Sequence, residues 1–361
     1  MIAAWIPPLY FLYLVKHYIK NLFFILFGLS FAFAAIDYFQ HLGKLDIAGN
    51  YKILYIFYKW LEALGLLYPL AIVFALVMTK ISLIKSHTMG ALHAFGYSKK
   101  RLLTPFILVA FVTYALFLFL HTTEFSYAKN KASSLLKNEL HTYDVNNLFF
   151  KYNNTFVYIY ALDPIEKKMQ DITLFRVEGD QVRATIHASW AYFNGKEWDA
   201  KDVIIKTHNY KEGSLHKYTL TYKKSMKTLK GYKPKIIESF YEGKALNMID
   251  AYHTWQLLKK QHVNSEKIRA SLYQKVVMPL FSLALLLILF FKLPFDARMT
   301  SMGLVIALSL GTIFVLWGIL FGLGQIGANG VISPELASIV PIVILWVYAI
   351  YVYLRDEKSI V

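Results

Sequence analysis

The sequence has no cysteine and few charged residues. Because none of its 361 residues is cysteine, the chain can form neither a disulfide nor a thiolate metal site, and it has no cysteine nucleophile. Charged residues make up only 17% of the chain and hydrophobic residues 57%, whereas a soluble globular protein has about 25% charged residues. A single water-soluble core could not bury this much apolar surface, so the composition indicates a membrane protein.

The motifs of common catalytic sites are also missing. The chain has no GxxxxGKS or GxxxxGKT phosphate-binding loop, no HExxH zinc motif and no GxSxG nucleophile elbow. One GxGxxG match, at residues 322–327, ends an apolar run with no strand before it, so it indicates close helix packing rather than a dinucleotide site. We therefore expect no catalytic residue, no metal site and no cofactor. Any ATP-driven work would need a second subunit.

Six apolar stretches are long enough to cross a bilayer. About 20 apolar residues span a hydrocarbon core of about 30 Å as a helix. The stretches form two groups of three, at residues 21–40, 60–79, 102–121, 276–293, 302–323 and 335–354. The sequence therefore predicts an α-helical membrane protein with six transmembrane helices in a 3+3 arrangement.

The gap between the two groups has a different pattern. It is polar, and segments such as residues 155–160, 172–177 and 217–222 alternate between apolar and polar residues, as strands do. Asn194-Gly195 lies between two such segments and indicates a hairpin. We predict transmembrane helices 1–3 within residues 1–123, an inserted all-β domain at 124–270, and helices 4–6 with a short tail at 271–361.

The distribution of Lys and Arg in the short loops predicts the orientation. The segment 80–101 holds five basic residues and no acid, and the loops on its side of the bilayer hold eleven Lys or Arg against three on the other side. Since short basic loops stay in the cytoplasm, both termini should be cytoplasmic and the β domain extracytoplasmic. Residues 124–270 carry 24 basic and 16 acidic side chains. A positive surface on that face favours an anionic lipid or glycolipid partner over nucleic acid.

Three acidic or histidine residues fall within or at the ends of the first three apolar stretches. They are Asp37, Glu62 and His121, and each lies near one end of its stretch. A charge inside a bilayer is costly and is usually kept for function. Near a helix end it can also anchor the helix, and the sequence leaves both interpretations open. A proton-coupled carrier would need a carboxylate nearer the middle of the membrane.

Residues 81–96, in the basic loop, predict a short helix. Its pattern places Leu83, His87 and Ala94 on one face, and Gly96 ends it just before the basic residues 99–101. Such a helix either lies in the membrane interface or docks in a groove of a partner protein. The residues alone do not decide between these two roles.

Four passages, in this order, carry a resemblance to a known family. They are SHTMGALHAFGYSKKRL (86–102), NTFVYI (154–159), ASWAYFNGKEWD (188–199) and the P-x-L-A-x-x-x-P pattern within residues 327–341. They resemble the coupling helix, the first jellyroll strand, a hairpin ending in tryptophan and the last-helix motif of the LptF/LptG permeases of the lipopolysaccharide export ABC transporter. The last pattern looks more like the G member. The family usually has a glutamate where this chain has Thr88, which puts in doubt which polar contact holds the ATPase.

The resemblance implies a fold and a function. It implies an inner-membrane permease subunit with a periplasmic β-jellyroll, which works with a dimer of the ATPase LptB, a second permease subunit and LptC. It implies lipopolysaccharide as the substrate, extracted from the inner membrane and passed to a periplasmic bridge. Helices one and five would bound the lipid gate.

The resemblance also suggests site residues. For the ATPase coupling helix we predict Thr88, Met89, Leu92, Phe95 and Gly96. For lipid phosphates we predict Lys44, Lys129 and Lys131, which follow the first and third apolar stretches. For the acyl groove we predict the inward-facing residues Phe156, Tyr158 and Trp190.

Two other classes of protein fit parts of the pattern. A permease of another lipid or lipoprotein ABC exporter would also have a large external domain, but the lipoprotein-release type has four helices and carries its domain after the first. A membrane sensor with a β ligand-binding domain would need a cytoplasmic signalling element, yet only seven residues follow Leu354. The symmetric 3+3 pattern favours the exporter.

Overall fold

The computed structural model describes residues 8–44, 48–136, 145–164, 166–179, 181–211, 214–242, 246–260, 264–295 and 301–355. The chain divides into two compact units. The first, here called the membrane unit, combines Met1–Ala132 with Ser265–Val361, and the second, the insert, is Ser133–Asn264.

The described helices and strands follow one another in a simple order. The helices are α1 (Leu9–His41), α2 (Gly49–Lys85), α3 (Thr88–Ala94), α4 (Lys99–Leu120), α5 (Ala128–Leu136), α6 (Pro234–Glu242), α7 (Met248–Lys260), α8 (Glu266–Val276), α9 (Leu280–Lys292), α10 (Met302–Ala328) and α11 (Pro334–Arg355). The strands are β1 (Val145–Tyr152), β2 (Thr155–Asp163), β3 (Lys168–Glu178), β4 (Gln181–Phe193), β5 (Trp198–Lys211) and β6 (Ser214–Thr228).

Six helical segments in the described residues are long and apolar enough to cross a membrane. They are α1, α2, α4, the segment Glu266–Lys292 formed by α8 and α9, α10 and α11. All six belong to the membrane unit, and the six strands lie between the third and the fourth of them. The predicted fold, six transmembrane helices with an inserted β domain, is therefore confirmed.

The helices extend beyond the apolar stretches that predicted them. α1 begins at Leu9 rather than near residue 21, and α2 has 37 residues, about 55 Å at 1.5 Å per residue. Apolar side chains mark only the part of a helix that meets hydrocarbon. The backbone hydrogen bonds continue past that part, because they do not depend on side-chain polarity.

The fourth span is interrupted between α8 and α9. The carbonyl of Tyr273 accepts hydrogen bonds from the N–H groups of both Val277 and Met278, at 2.8 and 2.9 Å. The next residue, Pro279, has no N–H group that would need an acceptor. The turn thus leaves few backbone groups unpaired, as a membrane interior requires. The sequence placed the start of this span at residue 276 because α8 is polar.

α2 lies at the centre of the membrane unit. Every residue from 68 to 77 is buried, and α2 packs on α1, α4, α9 and α10. The hydroxyl of Tyr18 donates to the carbonyl of Ile72 at 2.9 Å, and the amide of Asn21 donates to the hydroxyl of Thr79 at 2.8 Å. By contrast, α1 and α10 expose many large apolar side chains, the surface that a bilayer would cover.

The insert is built on one antiparallel sheet. Its strands are ordered β1 to β6, so each pairs with its neighbours in the chain. Buried side chains from β1 to β5 form a core together with Leu229, Tyr232 and Ile237. The last of these belongs to α6, so the insert also contains helices that the alternating pattern did not predict.

A crease crosses the whole sheet without changing its register. At the crease, one residue of each strand has no bridge partner while the residues on both sides of it are paired, and three of these six have positive φ angles between 52° and 59°. The alternation of buried and exposed residues shifts by one position at the crease, so the two halves of the sheet both direct side chains into the same core. Asn and Asp tolerate the left-handed region best among residues other than glycine. The unbridged residues are Asn147, Tyr160, Asp171, Ser189, Asp202 and Lys224.

The predicted hairpin joins β4 to β5. Its loop covers residues 194–197, longer than the two residues that the Asn-Gly signal indicated. The Asn194 side chain accepts the N–H groups of Lys196 and Glu197 at 3.1 and 3.0 Å, and Gly195 has a φ of 96°. The hairpin places Trp198 in the core, where its indole N–H donates to the carbonyl of Tyr232 at 2.6 Å.

We expect Trp198→Ala to lower the free energy of unfolding of the insert by about 3–5 kcal/mol, because it opens a large cavity and removes a buried hydrogen bond. Amide hydrogen exchange of β4 and β5 in the full chain measures this change. Tyr222→Ala is the control, since that ring is 71% exposed and its removal should change stability by no more than about 0.5 kcal/mol. Equal exchange rates in the two variants would contradict the assignment of Trp198 to the core.

Candidate functional site

The short helix α3 begins and ends with defined backbone turns. At its start His87 has a φ of 58°, and the hydroxyls of Ser86 and Thr88 lie 2.8 Å apart. At its end Gly96 has a φ of 87°, its N–H donates to His93, and the N–H of Tyr97 donates to Leu92 at 3.2 Å. This pair of bonds is a Schellman motif, which needs a left-handed residue and so favours glycine. Gly96 follows the end of the helix as predicted, but α3 begins at Thr88 rather than at residue 81, because residues 81–85 belong to α2 and His87 turns the chain between the two helices.

The predicted coupling residues divide into anchors and exposed groups. Met89 is completely buried and Leu92 is half-buried against the core of the membrane unit. Thr88 is also half-buried, whereas Phe95 is 81% exposed. Burial of Met89 fixes α3 on the membrane unit, and Phe95 is left as a large apolar side chain turned to the surface.

A buried lysine lies beneath α3. Lys80, in the last part of α2, is completely buried, and its ammonium donates to the carbonyl of Leu293 at 2.8 Å and to that of Phe290. It also lies 3.9 Å from the centre of the Phe295 ring, which in turn lies 6.2 Å from His93 of α3. We call Lys80, Phe290, Leu293 and Phe295 the Lys80 cluster. It joins the end of α2 to the end of α9.

The sequence analysis missed this role. Lys80 was counted only as one of the basic loop residues that set the orientation. A lysine in the last turn of a helix normally reaches water, and the sequence has no signal that it would meet unpaired carbonyls of α9. Its burial was decided by the packing of the two helices.

Charged residues at the other end of the spans join α1 to α2. The ammonium of Lys59 lies 3.1 Å from a carboxylate oxygen of Asp37 and 2.9 Å from one of Glu62. Tyr55 donates to Asp37, and the ring of His41 lies 3.5 Å from it. Asp37 and Glu62 therefore share one lysine, an arrangement that supports the anchoring interpretation of these two residues.

His121 satisfies a backbone group that a proline leaves unpaired. Because Pro69 has no N–H, the carbonyl of Gly65 lacks its helical partner, and the His121 ring donates to it. The Nδ1 atom of the ring is buried without a hydrogen bond. Burial, together with the positive charge of Lys275, lowers the pKa of His121 to about 4. The ring is therefore neutral at physiological pH.

The predicted lipid-phosphate lysines differ in their surroundings. Lys129, on α5, is exposed. Lys131, also on α5, lies 3.3 Å from Glu124 and 5.6 Å from the centre of the Tyr58 ring. The side chain of Lys44 lies outside the described part of the structure. Lys129 is thus the more accessible of the two described lysines.

The predicted acyl-groove residues do not face inward. On β2 the buried residues are Val157 and Ile159, so Phe156 and Tyr158 point to the opposite face, where both are half-buried. Trp190 is also half-buried on the outer face, with the ammonium of Lys168 3.9 Å from its ring centre. The inward orientation expected from the sequence was wrong, because a strand with apolar residues on both faces does not show which face forms the core.

No group of three His, Asp or Glu side chains that could hold a metal ion occurs within the residues that the structure describes. The Lys80 cluster and the ion pair between Lys59 and Asp37 join helices to one another instead.

A protein-family model matches nearly the whole chain. The family model described as "Lipopolysaccharide export system permease LptF/LptG" matches residues 2–355. No curated protein matches the chain. The matched region includes all six spans, α3 and the insert.

We expect the stability of the membrane unit to fall at acid pH because of His121. The pKa of His121 is about 4 in the folded protein and about 6.5 in the unfolded chain. The neutral ring therefore stabilises the fold fully above pH 6.5. This contribution, about 3 kcal/mol in total, is lost as the pH falls towards 4. The thermal unfolding midpoint between pH 7.5 and 4, compared with His121→Gln, measures this effect. If both proteins lost stability with the same pH dependence, His121 would not be the responsible group.

Proposed function

Because the chain belongs to the LptF/LptG family of lipopolysaccharide export permeases, we propose that it is one of two permease subunits of an ATP-driven exporter that extracts lipopolysaccharide from the inner membrane. The observation that carries this proposal is the family match over nearly the whole chain. The six spans and the inserted β domain agree with it. The chain is a membrane subunit of a transporter rather than an enzyme, and whether it is the F or the G member stays a prediction in favour of G.

We place the insert in the periplasm and both termini in the cytoplasm. The excess of Lys and Arg in the loops at the α3 end of the spans supports this orientation. α3 then lies on the cytoplasmic side, where an ATPase subunit would meet it. Dimeric LptB, a second permease subunit and LptC are the proposed partners, following the family.

The proposed coupling site is α3. Its exposed Phe95 can enter an apolar groove of the ATPase, while Met89 and Leu92 hold α3 on the membrane unit. Gly96 fixes the turn that presents Phe95, and Thr88 stands where the family usually has a glutamate. The Lys80 cluster lies directly beneath this surface, so a displacement of α3 would be transmitted to the ends of α2 and α9.

The proposed lipid path uses the opposite end of the spans. Following the family, α1 and α10 would bound the lateral gate, and both expose large apolar side chains. Lys44, Lys129 and Lys131 are the proposed contacts for lipid phosphates. Phe156, Tyr158 and Trp190 remain proposed acyl contacts, on the outer face of the sheet, where Lys151 and Lys168 lie near two of the rings.

We expect Phe95→Asp to prevent co-purification of the ATPase without unfolding the permease. The substitution places a charge at the centre of an apolar contact, while a side chain that is 81% exposed adds little to the core of the membrane unit. Affinity purification of the tagged chain from native membranes measures the ATPase recovered. Tyr222→Asp adds the same charge at an exposed ring of the insert and should leave recovery unchanged. Full recovery with Phe95→Asp would exclude α3 as the coupling site.

We expect Lys129→Glu to reduce photocrosslinking of the chain to lipopolysaccharide about tenfold while the complex still assembles, because an attractive charge becomes a repulsive one near the lipid phosphates. Lys44→Glu should act in the same direction. Lys259→Glu, at an exposed position on α7, is the control for the change in net charge. Crosslinking reduced equally by Lys259→Glu would mean that Lys129 is not a specific contact.

A further inference from the structure

A cleft between α9 and α10 opens at the α3 end of the spans. It has a volume of about 410 Å³ and is lined by Leu289, Lys292, Leu293, Pro294, Val305, Leu308, Ser309 and Thr312. This volume is within the range of about 300–1,000 Å³ that is common for small-molecule sites. The cleft lies at the opposite end of the spans from Lys129 and Lys131, the proposed contacts for lipid phosphates.

The wall of the cleft is effectively apolar below its mouth. Leucine and valine side chains form most of it. The hydroxyls of Ser309 and Thr312 donate to the carbonyls of Val305 and Leu308 on their own helix, at 2.7 and 2.8 Å. These bonds use the hydroxyl protons, so the wall presents no unpaired donor to an apolar ligand.

Lys292 places a positive charge at the mouth of the cleft. This residue, in the last turn of α9, is exposed, and among the described residues no carboxylate forms a salt bridge with it. α10 begins at Met302, about one turn before Val305 of the cleft wall, with no acid in its first turn and no side-chain cap, so the N–H groups at its start add a partial positive charge. The carbonyls at the end of α9 would oppose this charge, but Lys80 donates to two of them.

The shape of the cleft fits a molecule that lies in one leaflet of the bilayer. From Val305 to Thr312 the cleft extends about 10 Å along α10, which is less than half of a hydrocarbon core of about 30 Å. It opens sideways, since Leu308 is 63% exposed. An acyl chain can therefore enter from the bilayer while its head group stays at the level of Lys292.

From these features we propose that the cleft binds an anionic phospholipid of the surrounding bilayer, with an acyl chain against Leu289, Val305 and Leu308 and the phosphate beside Lys292. The site needs only the six spans, so it does not depend on the proposed export function. Phe295, which follows Pro294 at the mouth, also belongs to the Lys80 cluster beneath α3. A lipid in the cleft thus lies next to Phe295, which connects the end of α9 to the coupling helix α3.

The test uses the absence of native cysteine. In the full chain, Leu308→Cys gives a single thiol at the cleft for an environment-sensitive fluorophore. The labelled chain is placed in nanodiscs of ordinary phosphatidylcholine. In one series an increasing fraction of the lipid is brominated phosphatidylglycerol, and in the other it is brominated phosphatidylcholine. The brominated acyl chains quench the fluorophore on contact. Ile350→Cys is the control, since it is also exposed and lies at a similar depth on α11.

We expect brominated phosphatidylglycerol to reach half-quenching at the Leu308 position at a mole fraction about fivefold lower than brominated phosphatidylcholine. At the Ile350 position the two lipids should act equally. Lys292→Gln should remove the preference at the cleft, while Lys85→Gln, at another exposed lysine of the same end, should not.

Two outcomes would overturn the proposal. Equal quenching by the two lipids at the Leu308 position would mean that the cleft has no preference for an anionic head group. Quenching at the Ile350 position but not at the Leu308 position would mean that protein, such as a second copy of the chain, covers the cleft.

Discussion

The constraint on which this structure depends is that backbone groups inside a bilayer must be paired within the protein. A helix meets this constraint along its length, but not where it is broken or where it ends. At Pro69 the missing N–H is replaced by the ring of His121, and at the α8–α9 break one carbonyl of Tyr273 accepts two N–H groups. At the end of α9 the ammonium of Lys80 takes the place of the missing N–H donors. Each of these three interruptions is thus matched by a specific polar partner.

This constraint gives the polar residues of the membrane unit two different roles. The buried ones complete helix ends and join neighbouring helices, as Lys59 does between Asp37 and Glu62. The exposed ones, such as Lys129 and Lys292, are available to ligands. The buried and the exposed polar residues cannot be distinguished from the sequence alone. Lys80 and Lys292 are each a lysine in the last turns of an apolar helix, but one is completely buried and the other exposed.

The insert shows why its strands could be predicted but their faces could not. Alternation identifies a strand by its period of two, as it did for segments of β2, β3 and β6. Apolar residues on both faces of β2 made Phe156 and Tyr158 as suitable for the core as Val157 and Ile159. A signal for the crease was present, since Asp171 and Asp202 interrupt the apolar alternation of β3 and β5 at the point where the buried positions change phase. In the sequence, one such break resembles a turn. It can be recognised as part of a crease only when the six neighbouring strands are aligned in the sheet.

The sequence by itself determined the number of spans, their division into two groups of three, the β character of the insert and the end of α3 at Gly96. These features follow from local properties, namely apolar length, alternation and the conformational freedom of glycine. The tertiary structure alone decided that Met89 anchors α3 while Phe95 is exposed, that the predicted acyl contacts point outward, and that a lysine closes the end of α9. Burial and pairing depend on which segments pack together, and residues 80 and 293 meet only after the whole membrane unit has folded.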